Sequence, residues 1–194
     1  MKKYLFTFLL LCSSFTMAFS EVDLMKLMQK PQSVQGEFVQ QRFLKALSTP
    51  ITTSGQFSLV KQKGLLWQMQ KPFLTDLKVT PQGIMQWNGT HWISSQNFGQ
   101  SEQIKLFLGL LGGDISALAK QFDTQLSGDQ KLWQLRLIPN SMLMKQIFQY
   151  IQLQGGDLVN EIEIFETQGD RTVIRFNQLR VDQALPPFAQ QALQ

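Results

Sequence analysis

Catalytic and metal-binding residue types are scarce in these 194 residues. There is one histidine, one cysteine, and Asp, Glu, Lys and Arg make up only 16% of the chain. A single histidine, His91, leaves one candidate for any imidazole-based acid/base or triad chemistry. It sits beside Trp92 just past a hairpin turn, which reads as a structural histidine. The lone Cys12 lies in the apolar leader and offers neither a disulfide nor a nucleophile to the rest of the chain. No G-x-S-x-G elbow, H-E-x-x-H pair or G-x-x-x-x-G-K-[ST] loop occurs, and no metal site or cofactor is expected. Gly112-Gly113-Asp114 reads as a turn between helices, and Glu161, Glu163 and Glu166 as a solvated strand face. Charge is equally thin. A net +4 without a Lys/Arg run does not make a nucleic-acid surface, and the tryptophans alternate with glutamine rather than with cations.

Two other features are abundant. Apolar residues make up 43% of the chain, including 15 Phe and 4 Trp, enough to exclude disorder. Twenty-eight glutamines, spread evenly, supply much of the polar surface as uncharged amides.

The first twenty residues read as a secretory signal: Lys2-Lys3, the apolar stretch Tyr4 to Leu11, then Ala18-Phe19-Ser20 as a small-x-small site. The stretch is too short to span a bilayer. Leu11 before Cys12 disfavours lipoprotein processing. Cleavage after Ser20 removes Lys2 and Lys3 and leaves residues 21–194 as one domain with a net charge of +2 and no cysteine. Such an exported chain depends on its apolar core for stability.

Glu21 to Lys30 shows helical spacing, with Leu24, Leu27 and Met28 on one face and Ser20 with Asp23 as a capping pair. From Val34 the period becomes two. Strands are expected at Val34 to Arg42, Thr53 to Val60, Leu65 to Gln70, around Leu77 and Val79, Gly83 to Trp87, and His91 to Ile93. Asn88-Gly89 signals a type I′ hairpin. Ser101 to Leu111 reads as a helix, and Asp114 to Phe122 as a second short one. Strands resume at Asp123 to Leu126, Leu132 to Leu137, Tyr150 to Leu153, Val159 to Phe165 and Thr172 to Leu179, with a short helix after Ser141 and another after Pro186-Pro187. Ten or eleven antiparallel strands with a few short helices must curl strongly. The expected fold is mainly β: an incomplete barrel with a helical lid over its concave side.

Ile104 to Leu111 is apolar most of the way round a helix, which suits a central buried helix or a lid with one face on the sheet and one on an apolar cavity. Met142 and Met144 in the other helical insertion suit core filling or an adaptable pocket. The lid residues of interest are Leu106, Phe107, Leu108 and Leu111. On the sheet they are Trp67, Met69, Trp87 and Trp133, although alternation does not say which face is concave.

Phe38-x-Gln40-x-Arg42, Gly55-x-Phe57, Gly64-Leu65-Leu66-Trp67 with Pro72, the Gly112-Gly113-Asp114-Ile115-Ser116-Ala117-Leu118 run and Gly169-Asp170-Arg171-Thr172-x-Ile174-x-Phe176 resemble the outer-membrane lipoprotein carrier family, LolA-like, as a divergent branch. The resemblance runs from about Val34 to Phe176. It implies a periplasmic, non-enzymatic, monomeric carrier: an open half-barrel whose helical lid shields acyl chains. Lipidated cargo would arrive from an inner-membrane transporter and leave to an outer-membrane acceptor. In that family an Arg-Pro pair latches the lid, and Lys61-Gln62 stand at its place here, so Lys61 or Arg42 is the candidate latch. Two other readings remain: a carrier dedicated to an envelope glycolipid or polyene-type lipid, and a lipid-acting enzyme using His91.

Overall fold

The computed structural model describes residues 19–94, 109–111 and 118–194. Its strands are β1 Ser33–Phe43, β2 Ile51–Val60, β3 Gly64–Lys71, β4 Thr75–Thr80, β5 Gly83–Trp87, β6 Trp92–Ser94, β7 Phe122–Asp129, β8 Leu132–Pro139, β9 Phe148–Gly155, β10 Val159–Glu166 and β11 Arg171–Val181. The helices described are α1 Glu21–Gln29, α2 Met142–Ile147 and α3 Pro187–Ala192. All eleven strands form one antiparallel sheet in the order β6-β5-β4-β3-β2-β1-β11-β10-β9-β8-β7. The sheet is curved and not closed into a barrel, matching the expected architecture.

Two meanders, β1–β6 and β7–β11, build this order and meet at its centre, where β1 pairs with β11 from Val34↔Val181 to Phe43↔Arg171. Asp182 secures that seam by accepting the Gln32 and Ser33 amides at 2.8 Å each. Because β6 and β7 lie at opposite edges, residues 95–121 connect one edge to the other. Their described members Leu110, Leu111 and Leu118 pack into the core on one face.

Alternation sorts the strands between two faces. On the face with Phe38, Phe57, Leu65, Trp67, Leu135, Ile151, Ile162 and Phe176, the main core gathers under Leu24 and Met28 of α1. On the opposite face a smaller cluster of Leu66, Ala189, Ala192 and Leu193 seats α3. Glutamines 68, 134, 152 and 154 share that opposite face with Arg136 and Glu161, wetting it as their alternation predicts.

Two local readings need correction. Phe122 opens β7, paired with Pro139, rather than closing a helix. The Asn88-Gly89 hairpin is a four-residue loop between Trp87 and Trp92, not a type I′ turn. Only Gly89 has positive φ there. Asn88 instead uses its Oδ1 to accept from the Thr90 and His91 amides, stabilising an Asx-type loop. The helix expected over 101–111 is seen at residues 109–111, and its remainder lies outside the described residues, as do residues 1–18 of the leader.

Candidate functional site

The covered face of the sheet is built around glycine. Phe38 and Met69 lie on either side of Gly55 across β1, β2 and β3, and a Cβ at Gly55 would stand 1.9 Å from the Gln68 carbonyl oxygen. With no side chain between them, the Phe38 ring reaches Trp67 and stacks on it at 3.7 Å and 24°. Phe57 and Phe176 complete the aromatic group, edge to face at 5.1 Å. Gly36 serves the same end, since a Cβ there would meet Asn177 O at 2.8 Å and Leu179 Cδ2 at 2.9 Å.

Helix α1 lies over this face and is tied at both ends. Its Glu21 carboxylate accepts from Thr124 Oγ1 of β7 at 2.5 Å. At the far end Lys61 Nζ donates to Gln29 O at 2.8 Å, placing a cation on the terminal carbonyls of the helix. Ser20 and Asp23 form the expected capping box. The Ser20 hydroxyl and amide donate to the Asp23 carboxylate, and with Lys26 nearby they hold it below the usual aspartate range.

Between α1, Leu111 and the sheet lies a cavity of about 30 Å³. Met28, Phe57, Leu59, Leu111, Phe176 and Leu179 line it, joined by Val34, Leu158 and Val159. Every lining side chain is apolar. A space of that size holds about two waters and no acyl chain. One polar atom stands apart on the same face: Thr53 Oγ1 is buried and has no hydrogen-bond partner among the described residues.

Trp67 is buried on the cavity-bearing face, and Met69 is half-buried beside it. Trp133 is there too, with its Nε1 donating to Gly156 O at 2.7 Å. Leu111 lines the cavity itself. Met144 is buried in the core, whereas Met142, one position off the buried stripe of α2, is 76% exposed. Trp87 falls on the opposite face because residues 85 and 87 alternate away from buried Ile84. Its ring packs against Trp92 and Phe188 of α3, at 5.2 and 5.6 Å. Leu106, Phe107 and Leu108 lie outside the described residues.

The two candidate latches differ. Lys61 holds α1. Arg42 faces Glu166 at 3.5 Å and Asp170 at 3.7 Å, bracing the β10–β11 hairpin rather than any described covering segment. His91 sits exposed in its loop with Asn88 and Thr90 within 3.4 Å of its ring nitrogens. No group of three or more metal-ligating side chains occurs among the described residues.

Phe57, Leu59, Phe176 and Leu179 line the cavity without being among the residues expected there from sequence. Phe57 and Leu59 follow Gly55 at period two and were legible. Phe176 and Leu179 are an odd number apart and share the cavity only because β11 bulges opposite Gly36, with Gln178 at φ 51°.

An open, curved antiparallel sheet wrapped on one side around an apolar, helix-covered cavity defines a half-barrel of the binding-protein kind. The family of the outer membrane lipoprotein carrier protein LolA matches residues 29–189, and the chain belongs to that family. No curated protein sequence matches it. Solved structures share the fold at low identity. A LolA superfamily protein from Nitrosomonas europaea has 10% identity and a TM-score of 0.50, over 91% of this chain and 98% of its own. MucB gives 14% and 0.54, over 90% of this chain and 62% of its own. The MucA/MucB complex of Pseudomonas aeruginosa gives 15% and 0.51, over 87% of this chain and 57% of the other. The chain therefore spans about three fifths of MucB. No described helix is long and apolar enough to cross a membrane.

Proposed function

We propose that this protein is a periplasmic carrier that shelters acyl chains of lipoproteins or other lipids, taking them from an inner-membrane donor and yielding them to an outer-membrane acceptor. The observation that carries this reading is the cavity under α1 and Leu111, whose lining side chains are all apolar although it adjoins the open side of a half-barrel. Burial contributes about 0.8 kcal/mol per methylene, so one long acyl chain gains on the order of 10 kcal/mol by entering. A cavity of about 30 Å³ does not hold such a chain as it stands. Loading requires α1 or the described turn with Leu110 and Leu111 to move off the sheet, and return of that cover favours release. The two polar ties of α1, at Thr124 and Lys61, are weak enough to open.

Lys61 supports a second reading, a carrier dedicated to an envelope glycolipid or polyene-type lipid. At the place of the family's Arg-Pro latch, it binds the end of α1 through a single amine donor and makes no planar fork. Native mass spectrometry of the exported protein, followed by solvent extraction, tests both. Acylated peptide supports the first, another lipid the second, and protein that is always empty argues against each.

A further inference from the structure

The antiparallel order brings the β1–β2, β3–β4, β5–β6 and β10–β11 connections and α2 to one end of the sheet. The Thr167 amide donating to Ile147 O and the Lys45 amide donating to Asp170 confirm that these connections touch. Six exposed large apolar side chains project at this end: Leu47, Ile51, Phe73, Leu74, Met142 and Leu143. Phe73 and Leu74 form the tip of the β3–β4 connection and are 78% and 84% exposed. Such side chains cost solvation without serving this fold, since none packs on either core cluster.

Exposed lysines sit among them. Lys45 lies in the β1–β2 connection, Lys71 ends β3 beside Phe73, and Lys145 sits in α2, and none enters an ion pair among the described residues. Among the described residues the acids at this end are mostly withdrawn from the surface: Glu166, Asp170 and Asp76 are half-buried, the first two facing Arg42, and Asp123 is exposed. The exposed charge beside the apolar tips is therefore mostly positive, which suits an anionic partner.

We propose that this rim docks the protein on the surface of an anionic lipid bilayer, with Phe73 and Leu74 entering the interface and the three lysines meeting headgroups. The apolar tips do not converge on a groove. Five strand spacings separate β3 from β9, about 24 Å along the sheet, so the tips stand apart as separate points of contact. A broad, yielding, negatively charged plane meets all of them at once, and shallow apolar insertion beside basic side chains is the usual way a protein binds one. This surface is separate from the cavity and places the carrier against the membranes between which it would work.

The test is co-sedimentation of the exported protein, its N-terminus fixed by mass spectrometry, with vesicles of phosphatidylglycerol and phosphatidylethanolamine or of phosphatidylcholine alone. Binding to the anionic vesicles is expected, weakening as salt rises. F73D/L74D, which alters only exposed side chains, is expected to bind about tenfold or more weakly. L132D, equally exposed at the opposite end of the sheet, is expected to bind like the unaltered protein. Circular dichroism checks that both variants are folded. Wild-type protein left in solution with anionic vesicles overturns the proposal, as does F73D/L74D binding at full strength or L132D losing as much. Protein that ignores vesicles yet carries extractable lipid loses the rim and keeps the carrier reading.

Discussion

The Phe38 ring stacks on Trp67 across a strand that lies between them, at 3.7 Å, because the intervening residue is Gly55. This contact joins three strands on the covered face and sets the floor of the aromatic group beside the cavity. Phe38→Ala is expected to cost about 4 kcal/mol by the loss of a fully buried ring. Gly55→Ala is expected to cost about 3 kcal/mol by forcing β3 away from β2. Denaturant unfolding with an unchanged slope measures both; a Gly55→Ala midpoint equal to wild type would show that the strands yield freely.

Leu111 separates cargo binding from stability. It is half-buried and lines the cavity, so Leu111→Asp puts a charge where an acyl chain would lie while leaving the sheet intact. The expected result is a folded protein that co-purifies with at least tenfold less lipid. Leu132→Asp, exposed at the opposite end of the sheet from the docking rim, is expected to keep its lipid. Equal lipid in the two variants would remove the cavity from the cargo path.

The cap of α1 responds to acid. Hydrogen bonds from Ser20 lower the Asp23 pKa in the folded chain. Stabilisation from that carboxylate is therefore fully present above its unfolded value, about 3.9, and is lost as pH falls through the lower folded value. Protection factors of the α1 amides, taken relative to the intrinsic exchange rate at each pH, are expected to fall below about pH 4. Ser20→Ala should weaken the helix by about 1 kcal/mol and flatten that acid dependence. A chain beginning at Glu21, as the leader reading expects, lacks the cap altogether and keeps α1 through Thr124, Lys61 and the burial of Leu24 and Met28. Unchanged exchange in Ser20→Ala would show that packing alone holds the helix.

Trp133 is fully buried, and its indole N–H satisfies the Gly156 carbonyl at the β9–β10 turn. Trp133→Phe keeps an aromatic ring but leaves that carbonyl without this donor. A loss of about 1–3 kcal/mol is expected from the unpaired group and the smaller ring. Thermal unfolding checks it, and a stability equal to wild type would mean the carbonyl finds water.

Much of this protein was written locally. Period-two alternation placed all eleven strands to within a few residues, since a strand with one face in a core and one in water needs that pattern. Ser20-Asp23 and Ser141 announced two helix starts because capping is a contact between near neighbours. The order of motifs was enough to resemble the LolA family, to which the chain belongs. Long-range features were not legible. Trp67 and Trp87 look alike as strand tryptophans. One stacks under α1 and the other meets α3, because each face is assigned by what the curved sheet encloses. The bulge at Gln178, which turns Leu179 toward the same cavity as Phe176, depends on β11 lying against Gly36, residues remote in the chain. Sequence alone determined the strands, their turns and the apolar content. Pairing of β1 with β11 decided which of those apolar side chains share a cavity, since a sheet acquires an inside only when its two halves are joined.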